Sequence, residues 1–225
     1  MRSRNVLSAT TALLLLLGAC GDDSSTPPID SAEYEQFRSQ PTACDAEQPN
    51  PAREMTFATP DDLGVEGEIV ATLHTSCGDI TIALLADVAP ATVNSFVFLA
   101  EQGYFDGTVS HRIAPGFVVQ MGDPTATGHG GPGYRIPDEL PTADFSYVTG
   151  VVAMANSGPD TGGSQFFIVL DEIDLDPDYT VFGTVTDGLG TLAAIATIPI
   201  GTNPNTFEPS LPLETVYIES ITIQR

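Results

Sequence analysis

The sequence contains no lysine, and its seven arginines stand against thirty acidic residues, giving a formal charge of −23 over 225 residues. Such a chain repels polyanions, and it has no basic stripe or aromatic-interleaved arginine cluster to offset this, so nucleic-acid binding is excluded. The acidity serves solubility. No apolar run is long enough for a stable bilayer span, since the run from Val6 to Leu17 is too short. Cysteine is scarce, at three residues, and no histidine pair stands near two of them, so they make no zinc site. The glycine-rich run Thr127 to Tyr134 is followed by no lysine, and Pro132 removes a donor; it reads as a surface loop and not a phosphate cradle. Ser164 lies in Gly-Gly-Ser-Gln-Phe rather than a nucleophile elbow, which argues against a hydrolase. Asp174, Asp176 and Asp178 open like a calcium loop, but Tyr179 takes the glycine position and Val185 the closing glutamate, so an acidic, solvated loop is expected. His74, His111 and His129 lack ligand spacing and are expected to be satisfied structural histidines. Neither metal nor cofactor is expected.

What is present begins with an export signal. Arg2 and Arg4 precede the apolar run, which ends in Leu17-Gly18-Ala19-Cys20. That ending resembles the lipobox of bacterial lipoprotein signals. The resemblance implies cleavage after residue 19, lipid on Cys20, and a protein anchored to the bacterial cell membrane, facing the cell exterior or the periplasm. An ordinary signal peptide cut at a small-residue site, or a fortuitous match, is the alternative.

With Cys20 lipidated, Cys44 and Cys77 remain as an even pair in an oxidising compartment. A disulfide between them is expected to pin the N-terminal extension to the first hairpin of the domain, and two buried free thiols are the alternative. Residues 20–67 read as a lipidated tether and extended stalk. Gly21 to Pro28 is too polar to bury a core, and Ser31 can cap a short helix with Tyr34 and Phe37 on one face.

The globular domain is expected over residues 68–225. Ile69 to His74 and Asp79 to Leu84 alternate as strands around a turn at Ser76-Cys77-Gly78. Pro90 opens a helix to about Gln102, with Gly103 as its stop and Val93, Phe96, Val97 and Ala100 facing the core. Asn94 and Glu101 fall on its wet face. Strands follow at Val151 to Asn156, Ser164 to Leu170, Val181 to Val185 and Val216 to Ile223, with a short helix from Leu189 to Ile195. Many strands and two substantial helices indicate a mainly β fold, a closed antiparallel barrel capped by two α-helices.

The stretch from Ser110 to Asp123 reads as two short strands around a Pro115-Gly116 turn. Alternation sets Phe117, Val119 and Met121 on one face and Val118 and Gln120 on the other. Arg112 stands out there, because a guanidinium among apolar strands is costly unless something needs its rigid fork of donors.

Ser110-His111-Arg112-Ile113-Ala114-Pro115-Gly116-Phe117, Gln120-Met121-Gly122-Asp123, Met154-Ala155-Asn156-Ser157-Gly158-Pro159, Gly163-Ser164-Gln165-Phe166-Phe167-Ile168 and Tyr179-Thr180-Val181-Phe182-Gly183 together resemble the cyclophilin family of peptidyl-prolyl cis-trans isomerases. The resemblance implies an eight-stranded closed barrel with its ligand groove on the outside. It implies that Arg112 is catalytic, and that Phe117, Phe167 and Leu175 take the substrate proline ring, with Val118 where many members carry methionine. Gln120, Ala155, Asn156 and Gln165 match positions that hold the peptide backbone. Tyr179 stands where the best-studied members have histidine, and Asp174 where they have tryptophan. Ser110 and Met121 replace a usual phenylalanine and glycine.

The implied reaction needs no nucleophile. A prolyl amide isomerises over a barrier of about 20 kcal/mol because twisting destroys C–N conjugation. A donor fixed near the pyramidal nitrogen of the twisted state lowers that barrier, and Arg112 can supply it. The expected partners are proline-containing polypeptides, and the chain is expected to be a monomer. A proline-segment binding module or holdase with little turnover is the alternative.

Overall fold

The structure, a computed structural model, describes residues 26–225; the signal segment and Cys20 lie outside the described residues. The elements run α1 (Ala32–Arg38), β1 (Ile69–Thr75), β2 (Gly78–Leu84), α2 (Pro90–Glu101), β3 (Arg112–Ala114), β4 (Val118–Met121) and β5 (Val151–Met154). They continue through β6 (Phe166–Val169), β7 (Val181–Asp187), α3 (Leu189–Ile195), β8 (Ile200–Thr202), β9 (Pro209–Pro212) and β10 (Ile218–Gln224). Eight strands form one antiparallel sheet in the order β10-β1-β2-β7-β5-β6-β4-β3, and β8 and β9 pair as a separate hairpin.

The expected closed barrel is not what this sheet forms. Its edge strands β3 and β10 share no ladder, so the sheet is curled but open. The chain just ahead of β3 spans the gap through isolated bridges from Val109 to Asp123 and to Tyr217. Ser110 N–H donates to the Val216 carbonyl at 2.9 Å, and Ile218 N–H to that of Thr108 at 2.9 Å. β3 is too short to carry the pairing further.

Alternation sets the two faces of the sheet. In β1, Ile69, Ala71, Leu73 and Thr75 turn inward, paired across the hairpin with β2 from Ile69↔Leu84 to Thr75↔Gly78. Pro90 supplies the fixed φ that starts α2, and the Glu139 carboxylate, distant in sequence, accepts from the Ala91 and Thr92 N–H groups at 3.0 and 2.9 Å. Val93, Phe96, Val97 and Ala100 are all buried, as the helical spacing predicts. The Phe96 ring meets Phe105, Phe166 and Phe182 with centroids 5.3, 5.6 and 5.3 Å away. Burial of one such side chain stabilises the fold by about 1.5–3 kcal/mol. Asn94 stays outside the core, as expected, and accepts from Leu63 N–H at 2.8 Å and donates to the Asp61 carbonyl at 2.8 Å.

Residues 26–67 do not extend away as a stalk. α1 forms as predicted, capped by the Ser31 hydroxyl, but its buried Tyr34 and Phe37 lie against the domain. The Tyr34 hydroxyl donates to the Gly107 carbonyl at 2.8 Å and accepts from Ala52 N–H at 2.7 Å. Gly107 must be glycine: its φ is +74°, and a Cβ there would sit 2.4 Å from the Asn50 carbonyl oxygen. Further along, Phe57 stacks edge-on against Phe98 at 5.0 Å. Cys44 and Cys77 form a disulfide with Cα atoms 5.2 Å apart, tying the extension to the β1–β2 turn. The apolar spacing of Tyr34 and Phe37 was legible; the surface that covers them was not.

Candidate active site

Directly opposed residues in an antiparallel pair share a face. The register Arg112↔Gln120 between β3 and β4, Gln120↔Phe167 between β4 and β6, and Ala153↔Phe167 between β5 and β6 sets these four side chains in one row on the outer face. The neighbouring row, Ile113, Val119, Ile168 and Val152, points inward and is fully buried. Beneath the outer row an apolar cluster of Val118, Tyr147, Val151, Ala153, Phe167, Val169 and Val181 makes a floor, on which Phe117, Leu175 and Tyr179 pack half-buried. A notch of about 170 Å³ opens above it, lined by Arg112, Phe117, Val118, Gln120, Ala155, Asn156, Phe167, Leu175 and Tyr179.

Every residue matched to the proline pocket and groove therefore lies at this notch except Gln165, which lines the adjoining cleft with Gln120, Ala155 and Asn156. One expectation from alternation fails. Phe117 does not share the inward face of Val119 and Met121, because it sits in the turn before β4, its N–H bonded to the Ala114 carbonyl at 3.0 Å. There the Arg112 guanidinium lies 5.4 Å from its ring centroid, within cation–π range. Tyr179 meets the Phe167 ring edge-on at 5.4 Å.

A polar chain crosses the groove. Arg112 Nη1 donates to Gln120 Oε1 at 3.4 Å, Gln120 Nε2 to Gln165 Oε1 at 2.9 Å, and Gln165 Nε2 to the Gly130 carbonyl at 2.9 Å. Behind it, the buried Asp123 carboxylate accepts from Thr125, Gly128 and Gly130 N–H groups at 2.8, 2.6 and 3.2 Å. The glycine-rich run is thus wound around an anion, an order that its composition did not reveal. The Ser110 hydroxyl donates to the Gln120 carbonyl at 3.0 Å, and Met121 is buried in the core, which accounts for both unusual residues. Asn156 Nδ2 donates to the Asp178 carbonyl at 2.8 Å and tethers the acidic loop, leaving its main chain as what it offers a peptide. Asp174 is exposed beside the notch and does not line it. Among the described residues, no cluster of three or more His, Cys, Asp or Glu is placed to hold a metal.

Glu208, which sequence reasoning passed over, reaches Arg112 from the β8–β9 hairpin. Arg112 Nε donates to its Oε2 at 2.8 Å and Nη2 to its Oε1 at 2.6 Å. The guanidinium holds the Glu208 carboxyl below its ordinary pKa. No local pattern signals this pair, because the partners are 96 residues apart.

His111 departs from the satisfied histidine expected of it, since its buried Nδ1 has no hydrogen-bond partner. Burial lowers its pKa, against the opposing pull of Asp123; Arg112 and His129 lower it further. The folded protein refuses a proton that the unfolded chain accepts below about pH 6.5. Stability is therefore retained above that pH and falls as pH drops toward the folded value, by up to about 1.4 kcal/mol per unit. Denaturant midpoints from pH 7.5 to 5 should show this slope, and a His111→Gln variant should lose it. Equal slopes would assign the acid sensitivity to other groups.

Residues 70–223 match the family described as "Cyclophilin type peptidyl-prolyl cis-trans isomerase/CLD". The chain is 46% identical over 156 residues to "Peptidyl-prolyl cis-trans isomerase-like 3" of Rattus norvegicus, covering 68% of this chain and 94% of that protein. It is 44% identical over 144 residues to "Probable peptidyl-prolyl cis-trans isomerase B" of Mycobacterium tuberculosis, covering 57% of this chain and 47% of that one. It also resembles a crystal structure of a Cryptosporidium parvum cyclophilin-type peptidyl-prolyl cis-trans isomerase, at a TM-score of 0.64 and 30% identity over 71% of this chain and 99% of the other. A second crystal structure of that protein, in the presence of the dipeptide Ala-Pro, matches with a TM-score of 0.63.

Proposed function

Because the chain belongs to the cyclophilin-type peptidyl-prolyl cis-trans isomerase family, we propose that Arg112 carries its catalysis and that its clients are exported proteins met at the membrane surface. The observation that carries the first part is the placement of one guanidinium on the rim of an apolar notch, in register with Gln120 and Phe167. Phe117, Phe167 and Leu175 grip the proline ring and exclude water, which favours the less polar, twisted amide. Arg112 donates to the nitrogen lone pair that exists only in that twisted state, so it binds the transition state better than either planar isomer. Gln120 steadies the guanidinium, while Gln165 and the main chain at Ala155 and Asn156 hold the flanking peptide. No covalent bond forms or breaks.

Arg112→Ala in a cis-trans assay on a proline tetrapeptide tests this reading, with undiminished turnover as the result against it. The Cryptosporidium protein's structure with Ala-Pro supports proline-containing peptides as ligands here. Tyr179 and Asp174 replace residues usual in the best-studied cyclophilins and favour, as the second reading, a proline-segment binder with little turnover.

The membrane part rests on Leu17-Gly18-Ala19-Cys20 and on the disulfide, which suits an oxidising compartment. In cells fed a labelled fatty acid, the chain should take up label and sediment with membranes, and a Cys20→Ser variant should do neither. Label-free, soluble wild-type protein would refute lipid anchoring and leave the isomerase reading intact.

A further inference from the structure

An arginine that must meet one bond in one orientation has to be prevented from swinging on its flexible side chain. Gln120 alone is a weak brace, at 3.4 Å from Nη1. Glu208 supplies a stronger one, with both carboxylate oxygens on the Nε–Nη2 edge in a bidentate fork. The hairpin that presents it is held by its own pairing, Ile200↔Pro212 and Gly201↔Leu211, and β9 runs beside β3. The Glu208 main chain is held within the hairpin: its carbonyl accepts from Asn203 N–H at 2.8 Å and from Ser210 N–H at 2.9 Å, and its own N–H donates to the Thr206 hydroxyl at 3.3 Å. Glu208 does not line the notch, and among the described residues Arg112 is the one charged side chain that does. The carboxylate thus stands behind the guanidinium and leaves the Nη1 edge, toward Gln120, for the substrate.

We propose that Glu208 is a positioning residue for Arg112, locking the rear edge of the guanidinium so that its front edge faces the prolyl bond. This rests on the catalytic role of Arg112 given above. A carboxylate that brought the arginine to a fixed pose acts on the twisted state and not on ground-state binding, so its loss appears in kcat and spares KM. A carboxylate that instead competed with substrate for the guanidinium would do the opposite, and its removal would raise kcat/KM.

The test measures kcat and KM on a proline tetrapeptide for the full chain, Glu208→Gln, Arg112→Ala and the double variant. Glu208→Gln keeps the shape and removes the charge, and should lower kcat about tenfold, with KM within about twofold of wild type. The double variant should be no slower than Arg112→Ala alone, because Glu208 acts only through Arg112. Wild-type or faster turnover in Glu208→Gln overturns the proposal. So does a further loss in the double variant, which a mere weakening of the fold would produce. If Arg112→Ala itself turns over normally, the catalytic reading fails and this one falls with it; an inactive Arg112→Ala beside an unimpaired Glu208→Gln sinks this one alone.

Discussion

Arg112→Ala should lower kcat/KM on a proline tetrapeptide by about 10²–10³-fold, the usual cost of deleting one preorganised donor at a developing charge. The residue makes no core contact that the fold needs. It lies at the start of a three-residue edge strand, with its aliphatic stem and guanidinium on the outer face. Ile113, its neighbour, carries the inward packing. Glu208, a third exposed in its side chain, is rehydrated once its partner is gone and leaves no buried charge behind. Circular dichroism should therefore show a folded variant while the assay shows a slow one. A folded variant of undiminished rate would remove the guanidinium from the mechanism.

The second large effect concerns the extension. Opening the Cys44–Cys77 bridge in a Cys44→Ser/Cys77→Ser variant releases a loop with a sequence separation of 33. In the chain-entropy account this costs about 3–4 kcal/mol, or about 10 °C in the thermal midpoint of a domain this size. The extension would still be held by Tyr34, Phe37 and Phe57, so it should loosen and not leave. The absence of lysine makes trypsin a clean probe, because between residues 26 and 67 it can cut only after Arg38 or Arg53. Arg38 is guarded in the folded protein, its Nη1 donating to the Pro49 carbonyl at 3.2 Å and its guanidinium about 6 Å from the Tyr34 and Tyr217 rings. Faster cleavage at these sites is expected in the variant; an unchanged midpoint and cleavage rate would show that the bridge adds nothing to the packing.

What the sequence made legible was local. Ile69 to Thr75 alternates because one face of β1 is buried, and Val93, Phe96, Val97 and Ala100 recur at helical spacing because α2 buries one side. The segments around Arg112, Gln120, Asn156 and Phe167 resemble one family only when taken together, and that resemblance, not any one segment, implied a shared groove. The strand register that builds this groove, Arg112↔Gln120↔Phe167↔Ala153, is what no segment states. Three features came only from contacts distant in sequence. Glu139 caps α2 from 47 residues away, the β8–β9 hairpin brings Glu208 to Arg112, and the polar extension lies down on the domain. A polar, proline-rich stretch reads as a free linker until a surface is found for Tyr34 and Phe37. Phe117 shows the converse failure: a turn starting at Ala114 put it out of phase with the strand it was assigned to.

One measurement reaches the central claim most directly: exchange NMR of an Xaa-Pro peptide at saturating concentrations of wild type and of Arg112→Ala. It separates holding the peptide from turning it. The wild type should bring cis and trans resonances into fast exchange, while Arg112→Ala still binds the peptide with a Kd within a few-fold and leaves the two isomers exchanging slowly. Equal exchange rates at equal occupancy would contradict the account and place catalysis elsewhere in the groove.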